Sequence, residues 1–281
     1  MVLEAVRAGR FLWRTRAEVA YLEPATLKDA PALRCAFTSR RADPADSESN
    51  FSLDLGQRSA VLANRQRVLQ ALGLAPTALY TVRQVHGNHV CVVDAHVVQH
   101  GLHGVEGDAL VTALPGVPLG VLVADCLPIM LYTSQPPLVA MVHAGRMGTY
   151  HQVVCKTIEV MQELFAVAPS QVYAVMGPAI GACCYTLDIH AVGPFQERFA
   201  DWQQFFIPRQ HGIWTMDLIA ANTAQLQAAG VPQEHVHAAH ICTACHNQYF
   251  YSHRAEGREA GRGMGIVALL PPVPVERSSS V

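Results

Sequence analysis

Apolar and polar positions along this chain switch between two periods, and the switches mark its elements. Short apolar runs closed by turn residues predict strands over 79–82, 89–94, 109–112, 119–124, 129–132, 138–142, 172–175, 237–241 and 265–270. Helical spacing predicts helices over 59–72, 149–166, 194–205 and 217–229. In the first of these, Val61, Leu62, Val68, Leu69 and Leu72 share one face, and Gly73 supplies a stop. Gly230 stops the last helix in the same way. Runs this closely spaced in the centre must be neighbours or hairpins. The pattern therefore predicts an α/β fold, a single domain with mixed β-sheets packed between helices.

The ends and loops refine that picture. Domain 1–270 is expected to be followed by a disordered tail over 271–281, where prolines give way to Ser278-Ser279-Ser280. Residues 40–50 form a long polar stretch, expected to be a loop. Hydrophobic residues are 51% and charged residues 15%, which argues against extended disorder or coiled coil elsewhere. The net charge of −2 gives the whole protein no pull on nucleic acid, so none is expected as a partner. The longest apolar stretch, 117–132, is broken by Asp125 and carries Pro118 and Pro128, so no membrane span is expected. Phe11-Leu12-Trp13 is too short for the core of an export signal. A cytoplasmic location with eight reduced cysteines is the expectation that follows.

Three residues carry candidate chemistry. His86 lies in Gln84-Val85-His86-Gly87, Cys126 in Ala124-Asp125-Cys126-Leu127-Pro128, and His143 in Val142-His143-Ala144-Gly145. Each sits where a strand-like run meets turn residues. Two imidazoles and one thiolate can hold Zn²⁺ with one coordination position left open, the hallmark of a catalytic site. Their wide spacing means that the fold must assemble them, and an apolar-flanked Cys can equally be a core residue. Cys242-Thr243-Ala244-Cys245-His246 matches a haem-attachment pattern, but that chemistry needs an exported chain. A second zinc site from Cys242, Cys245 and His240 or His246 is an alternative there, and plain thiols are the expected reading. Gly177-Pro178-Ala179-Ile180-Gly181 reads as a tight turn whose N–H groups can line a pocket.

Taken in order, six segments resemble one family. They are 84–87, 107–112, 124–128, 142–145, 177–185 and Tyr251-Ser252-His253-Arg254. The family is long known as multicopper polyphenol oxidase or laccase-like, and later described as purine nucleoside phosphorylases with adenosine deaminase activity. The resemblance implies His86, Cys126 and His143 as catalytic metal ligands, for zinc with copper as an option. It implies phosphorolysis of adenosine, inosine, guanosine and methylthioadenosine to base and ribose 1-phosphate, with deamination of adenosine beside it. It also implies a purine nucleoside phosphorylase-like domain of the α-β-β-α type known from cysteine hydrolases, acting as monomer or homodimer. Asn64, Arg65, Arg254 and Arg262 match family positions and are expected to bind substrate. A guanidinium fork suits phosphate oxygens.

The sequence departs from that family where His-Ala-Gly-Trp-Arg-Gly is usual and His143-Ala144-Gly145-Arg146-Met147-Gly148 stands here. Met147 cannot hold an anion, and Arg146 is expected to point elsewhere. Ser52-Leu53-Asp54-Leu55-Gly56 also carries Asp where Asn is usual. The alternative function is a metal-free cysteine hydrolase with Cys126 as nucleophile and His143 or His86 as base. A copper oxidase fits less well, since His235-Val236-His237 is a lone His-x-His pair. Asp108 and Asp125 are candidates to orient a histidine ligand.

Overall fold

In the computed structural model, most of the described strands fall into two sheets. The structure describes residues 10–26, 30, 32–41, 47–75 and 79–271. The described residues begin with strands β1 (Phe11–Arg16), β2 (Val19–Pro24) and β3 (Leu33–Thr38), then helix α1 (Arg58–Ala71). The centre follows as β4 (Val90–Val92), α2 (Ala95–His100), β5 (Ala109–Thr112), β6 (Leu119–Val123), β7 (Leu127–Ser134) and β8 (Pro137–Ala144). Next come α3 (Arg146–Tyr150), α4 (Val153–Phe165), β9 (Tyr173–Met176), β10 (Thr186–Leu187) and α5 (Ile189–Arg198). The last part holds β11 (Phe206–Pro208), β12 (Trp214–Met216), α6 (Leu218–Ala228), β13 (Val236–Ala238), α7 (His253–Glu256) and β14 (Gly263–Leu269).

One sheet has the order β1-β2-β3-β14-β6 and is antiparallel throughout. The other runs β13-β9-β7-β8-β5-β4 and is mixed, with parallel pairs at β4–β5 and β9–β13. A small sheet β10-β12-β11 flanks them. The two-residue period of β7 and β8 makes the layers. Leu127, Ile129, Leu131, Leu138, Ala140 and Val142 pack on one face with Ile158 and Met161 of α4 and Leu226 of α6. Met130, Val139 and Met141 turn the other way and meet Phe37, Val121 and Val267 of the first sheet. The far face of that sheet is covered by Val68 and Leu69 of α1, packed with Ala36, Ile266 and Ala268. The order is helix, sheet, sheet, helix in one domain, as expected. Each fully buried Leu, Ile or Val here stabilises the fold by roughly 1.5–3 kcal/mol.

Several predicted elements are corrected. The helix expected over 149–166 is two, because Gln152 takes a left-handed φ of 58° that no helix continues through. The helix expected over 194–205 is α5, which starts five residues earlier. The Asp188 side chain accepts from Ala191 N at 3.0 Å and caps it, and the helix ends at Arg198. The expected strand 79–82 shrinks to one bridge, Tyr80 with Leu119, and 89–94 shortens to β4. Strands β1 to β3 escaped the pattern because Arg14, Arg16, Glu23 and Arg34 interrupt their apolar rhythm. Leu62 is 41% exposed, so it lies off the buried stripe of α1. Apart from Pro271, the tail expected over 271–281 lies outside the described residues, as do 42–46 of the polar loop. Among the described residues, no helix is long and apolar enough to cross a membrane.

Candidate active site

The strand period fixes the first ligand. His143 shares the parity of Val139 and Met141, so its ring points between the two sheets at the end of β8. Cys126 sits in the turn from β6 to β7, where the chain crosses from one sheet to the other. His86 lies in the loop before β4 with a left-handed φ of 59°. The ligating atoms of His86, Cys126 and His143 all lie within 4.8 Å of one another. Cys126 Sγ stands 3.8 Å from His86 Nε2, and the two imidazole rings meet edge to face at 4.9 Å. Gly145 leaves room for this cluster. A Cβ there would fall 2.6 Å from Cys126 Sγ and 3.2 Å from His86 Cδ2.

One carboxylate organises two of the three. Asp108 is fully buried at the start of β5, and its Oδ1 accepts from His143 Nδ1 at 2.8 Å and from His86 N at 3.0 Å. Its Oδ2 accepts from Gly87 N at 2.7 Å and Val85 N at 3.3 Å. Burial works against the Asp108 charge, but these donors, His143 first, hold its pKa below the ordinary carboxylate value. With Nδ1 committed to Asp108, His143 presents Nε2 to the cluster.

Without a metal, the thiol and imidazole share their charge. Burial pushes the Cys126 thiol up, yet His143 and then His86 pull it down to about 6. Burial pushes His143 down, while the Cys126 thiolate and Asp108 raise it to about 9. Between those values the pair is thiolate and imidazolium.

The cluster opens into a cavity of about 600 Å³, within the range of small-molecule sites. Arg146, Arg254, Arg258 and Arg262 line it, with Tyr185 and His253. Arg254 is held in place: its guanidinium donates to Cys184 O, Thr186 O and Thr186 Oγ1 at 2.8–3.0 Å, and it stacks on Tyr185. Its backbone N donates to Asp125 Oδ2 at 2.7 Å, while Asp125 Oδ1 accepts from Thr243 Oγ1 at 2.6 Å. Asp125 therefore binds backbone and Thr243 rather than a histidine ligand. Its backbone takes a left-handed φ of 85° in the turn that carries Cys126. Arg262 donates to the carbonyls of Ala260 and Gly261.

Asn64 and Arg65 stand one layer behind the cavity. The Asn64 amide donates to Asn50 O at 2.9 Å, and Arg65 forks onto Phe51 O at 2.8 and 3.0 Å. Both hold the loop that brings Ser52, Asp54 and Leu55 to the cavity wall. The expectation that Arg146 points elsewhere is corrected: it begins α3 and lines the cavity. Arg258, His253 and Tyr185 were not anticipated. The signal for them was local: Tyr185 ends the Cys183-Cys184-Tyr185 run, and His253 and Arg258 flank Arg254.

The donor set fits zinc. Two nitrogens and one sulfur at bond lengths of about 2.0–2.3 Å around one centre would lie roughly 3.3–3.8 Å apart, close to the Sγ–Nε2 distance of 3.8 Å. The Asp108–His143 contact is the carboxylate–histidine pairing that metal-bound imidazoles commonly make.

The chain matches the family described as multi-copper polyphenol oxidoreductase laccase over residues 34–270. It is 33% identical over 229 residues to the purine nucleoside phosphorylase YlmD of Geobacillus stearothermophilus, covering 78% of this chain and 82% of that one. It is 34% identical over 208 residues to adenosine deaminase RL5 from an unknown prokaryotic organism, covering 72% and 79%. Among solved structures, YlmD of Geobacillus stearothermophilus superposes with a TM-score of 0.82 at 28% identity, over 93% of this chain and all of that one. The YfiH protein of Bacillus licheniformis gives the same TM-score at 25% identity, over 92% and 98%.

Proposed function

Because the chain belongs to the multi-copper polyphenol oxidoreductase laccase family, whose relatives include named purine nucleoside phosphorylases, we propose that it is a zinc-dependent purine nucleoside phosphorylase with adenosine deaminase activity. Adenosine, inosine, guanosine and methylthioadenosine are its proposed substrates with phosphate. The observation that carries this reading is the convergence of His86, Cys126 and His143 on a cavity walled by arginines. When bound, zinc supplies Lewis acidity at the position these three residues leave open.

The chain's own residues do the rest. Arg254 and Arg262, with Arg146 and Arg258 beside them, bring positive charge to a dianionic phosphate. In phosphorolysis a phosphate oxygen bonds to the anomeric carbon while the glycosidic bond breaks. The base leaves with the electron pair and takes up a proton. The arginines hold the phosphate in line and stabilise the charge that moves. In deamination, water adds at the purine C6 and ammonia leaves, so no phosphate is consumed. Asp108 keeps His143 and His86 in register for both reactions.

A second reading has its own observation. A Cys126 thiolate beside a protonated His143 is also the ground state of a cysteine hydrolase, with Asp108 orienting the histidine. One experiment separates the two. The protein is incubated with adenosine, with and without phosphate, before and after metal stripping, and adenine and inosine are followed. The phosphorylase reading expects adenine only when phosphate is present, slower inosine in either case, and loss of both on stripping with recovery on zinc addition. No product from any purine nucleoside, or equal product from Cys126→Ser, would sink it. Hydrolysis of another substrate class that survives stripping and dies with Cys126→Ser would establish the hydrolase.

A further inference from the structure

Four cysteines unused by the candidate active site meet on the other side of the Asp125 turn. Cys183 and Cys184 follow the glycine turn after β9, and Cys242 and Cys245 lie in the loop after β13. Their four sulfurs all lie within 4.8 Å of one another. Cys245 Sγ is 3.5 Å from Cys183 Sγ and 3.4 Å from Cys184 Sγ. Gly181 N donates to Cys242 Sγ at 3.2 Å, the kind of N–H contact that supports a metal-bound thiolate. A Cβ on Gly181 would stand 3.3 Å from both Cys183 Sγ and Cys242 Cβ, so glycine is what lets the two loops close on each other.

We infer that Cys183, Cys184, Cys242 and Cys245 form a second, closed site that binds one Zn²⁺. Four ligands at about 2.3 Å around a tetrahedral centre put their sulfurs about 3.8 Å apart, and these sulfurs already cluster on that scale. The spacing leaves room for a single ion, not for an iron–sulfur cluster whose irons hold their thiolates further apart. Cys242-x-x-Cys245 is the usual chelating spacing, and Cys183-Cys184 supplies the opposing pair. A disulfide accounts for the geometry less well, since Cys245 is equally near two partners and any one bridge leaves two thiols over. The donors are all soft thiolates, which select zinc over magnesium or calcium. Binding exchanges thiol protons for the ion, with no change of oxidation state.

Such an ion would tie together the two loops behind the active site. Thr243, between two of the ligands, holds Asp125 next to Cys126. The Cys184 carbonyl accepts from Arg254, and Tyr185 lines the cavity. The site is thus a brace for the arginine wall and the Cys126 turn. It does not depend on the reaction proposed above.

The test is the zinc content of the purified Cys126→Ser, His143→Ala double variant, in which the first site has lost two of its three ligands. About one zinc per chain should remain, against about two in the wild type. Cobalt loaded into that variant should give an intense sulfur-to-metal charge-transfer band although Cys126 is gone. Adding Cys242→Ser and Cys245→Ser should abolish both. Zinc-free double variant with all seven remaining thiols titratable on denaturation, or with a disulfide in its unreduced mass, would overturn the inference. Should the double variant fail to fold, Cys242→Ser with Cys245→Ser in the otherwise unchanged protein decides: zinc content about one per chain below wild type supports the site and unchanged content refutes it.

Discussion

Asp108→Asn isolates the residue on which two metal ligands depend. The carboxylate serves four donors, Val85 N, His86 N, Gly87 N and His143 Nδ1. An amide keeps one oxygen and turns an NH₂ toward the rest, so two donors lose their acceptor whichever way it flips. Each unmet buried donor costs about 1–3 kcal/mol. Val85 is 41% exposed, so water can reach part of this loop and the low end applies, about 2 kcal/mol in all. At roughly 2–4 °C per kcal/mol for a chain of this size, the metal-stripped variant should melt about 4–8 °C lower. Zinc affinity should fall further than stability alone explains, by about 10- to 100-fold, because His143 loses the partner that fixes its ring. Chelator competition measures the affinity, and calorimetry in excess chelator measures the melting point. A lower melting point with unchanged zinc affinity would refute the orienting role and leave Asp108 as a loop anchor only.

Gly145→Ala should weaken zinc binding by about 10- to 100-fold, since its Cβ would fall 2.6 Å from Cys126 Sγ and displacing that sulfur costs about 1–3 kcal/mol; unchanged affinity in the same competition assay would contradict it. In metal-stripped protein, alkylation of Cys126 by iodoacetamide should switch on with a midpoint near pH 6, because the folded thiol sits at about 6 instead of its ordinary 9. That depressed pKa contributes stability above pH 9 and loses it as pH falls through about 6. The raised His143 contributes below 6.5 and loses it as pH rises through about 9, so a midpoint for alkylation above pH 8 would show that the ion pair does not form. Arg254→Gln and Arg262→Gln should each raise the KM for phosphate more than that for nucleoside, by roughly ten- to a hundredfold for a charge-assisted contact of about 1.5–3 kcal/mol; unchanged phosphate dependence in both would leave them as structural donors.

What could be read from the chain was what repeats locally. The apolar runs of β7 and β8 are continuous and closed by turn residues, so the strands were legible, while the face on which His143 lies was not, because both faces of these strands are buried. The ligand trio was legible because each member ends such a run. The N-terminal strands were not, because their outward positions carry Arg14, Arg16 and Glu23, which make a surface strand resemble a loop. The break at Gln152 left no signal either, as nothing in its side chain announces a left-handed backbone. Arg146 was misjudged because a one-residue shift reads as a change of face in a strand, whereas it opens helix α3 at the cavity rim. Cys183 and Cys184 lie far from Cys242 and Cys245 in sequence, and the bridge between Ala179 and Cys242, with Gly181 N on Cys242 Sγ, brings their loops together. Asn64 and Arg65 pointed toward the site, but through the loop they hold and not through the cavity wall itself.

Strand β14 is the last strand described, yet it lies inside its sheet, between β3 and β6. The backbone ladder that joins the first three strands to the rest of the molecule therefore waits for a segment made after every other described strand. During synthesis β1, β2 and β3 must remain without their inner neighbour until nearly every other strand has left the ribosome. The sheet can then be completed only after translation of Gly263–Leu269, by closing a loop more than two hundred residues long between β3 and β14. A nonsense codon between Val123 and Gly263 would remove more than one edge of the protein: it would expose the unpaired flanks of β3 and β6 together, and turn a late truncation into an aggregating chain.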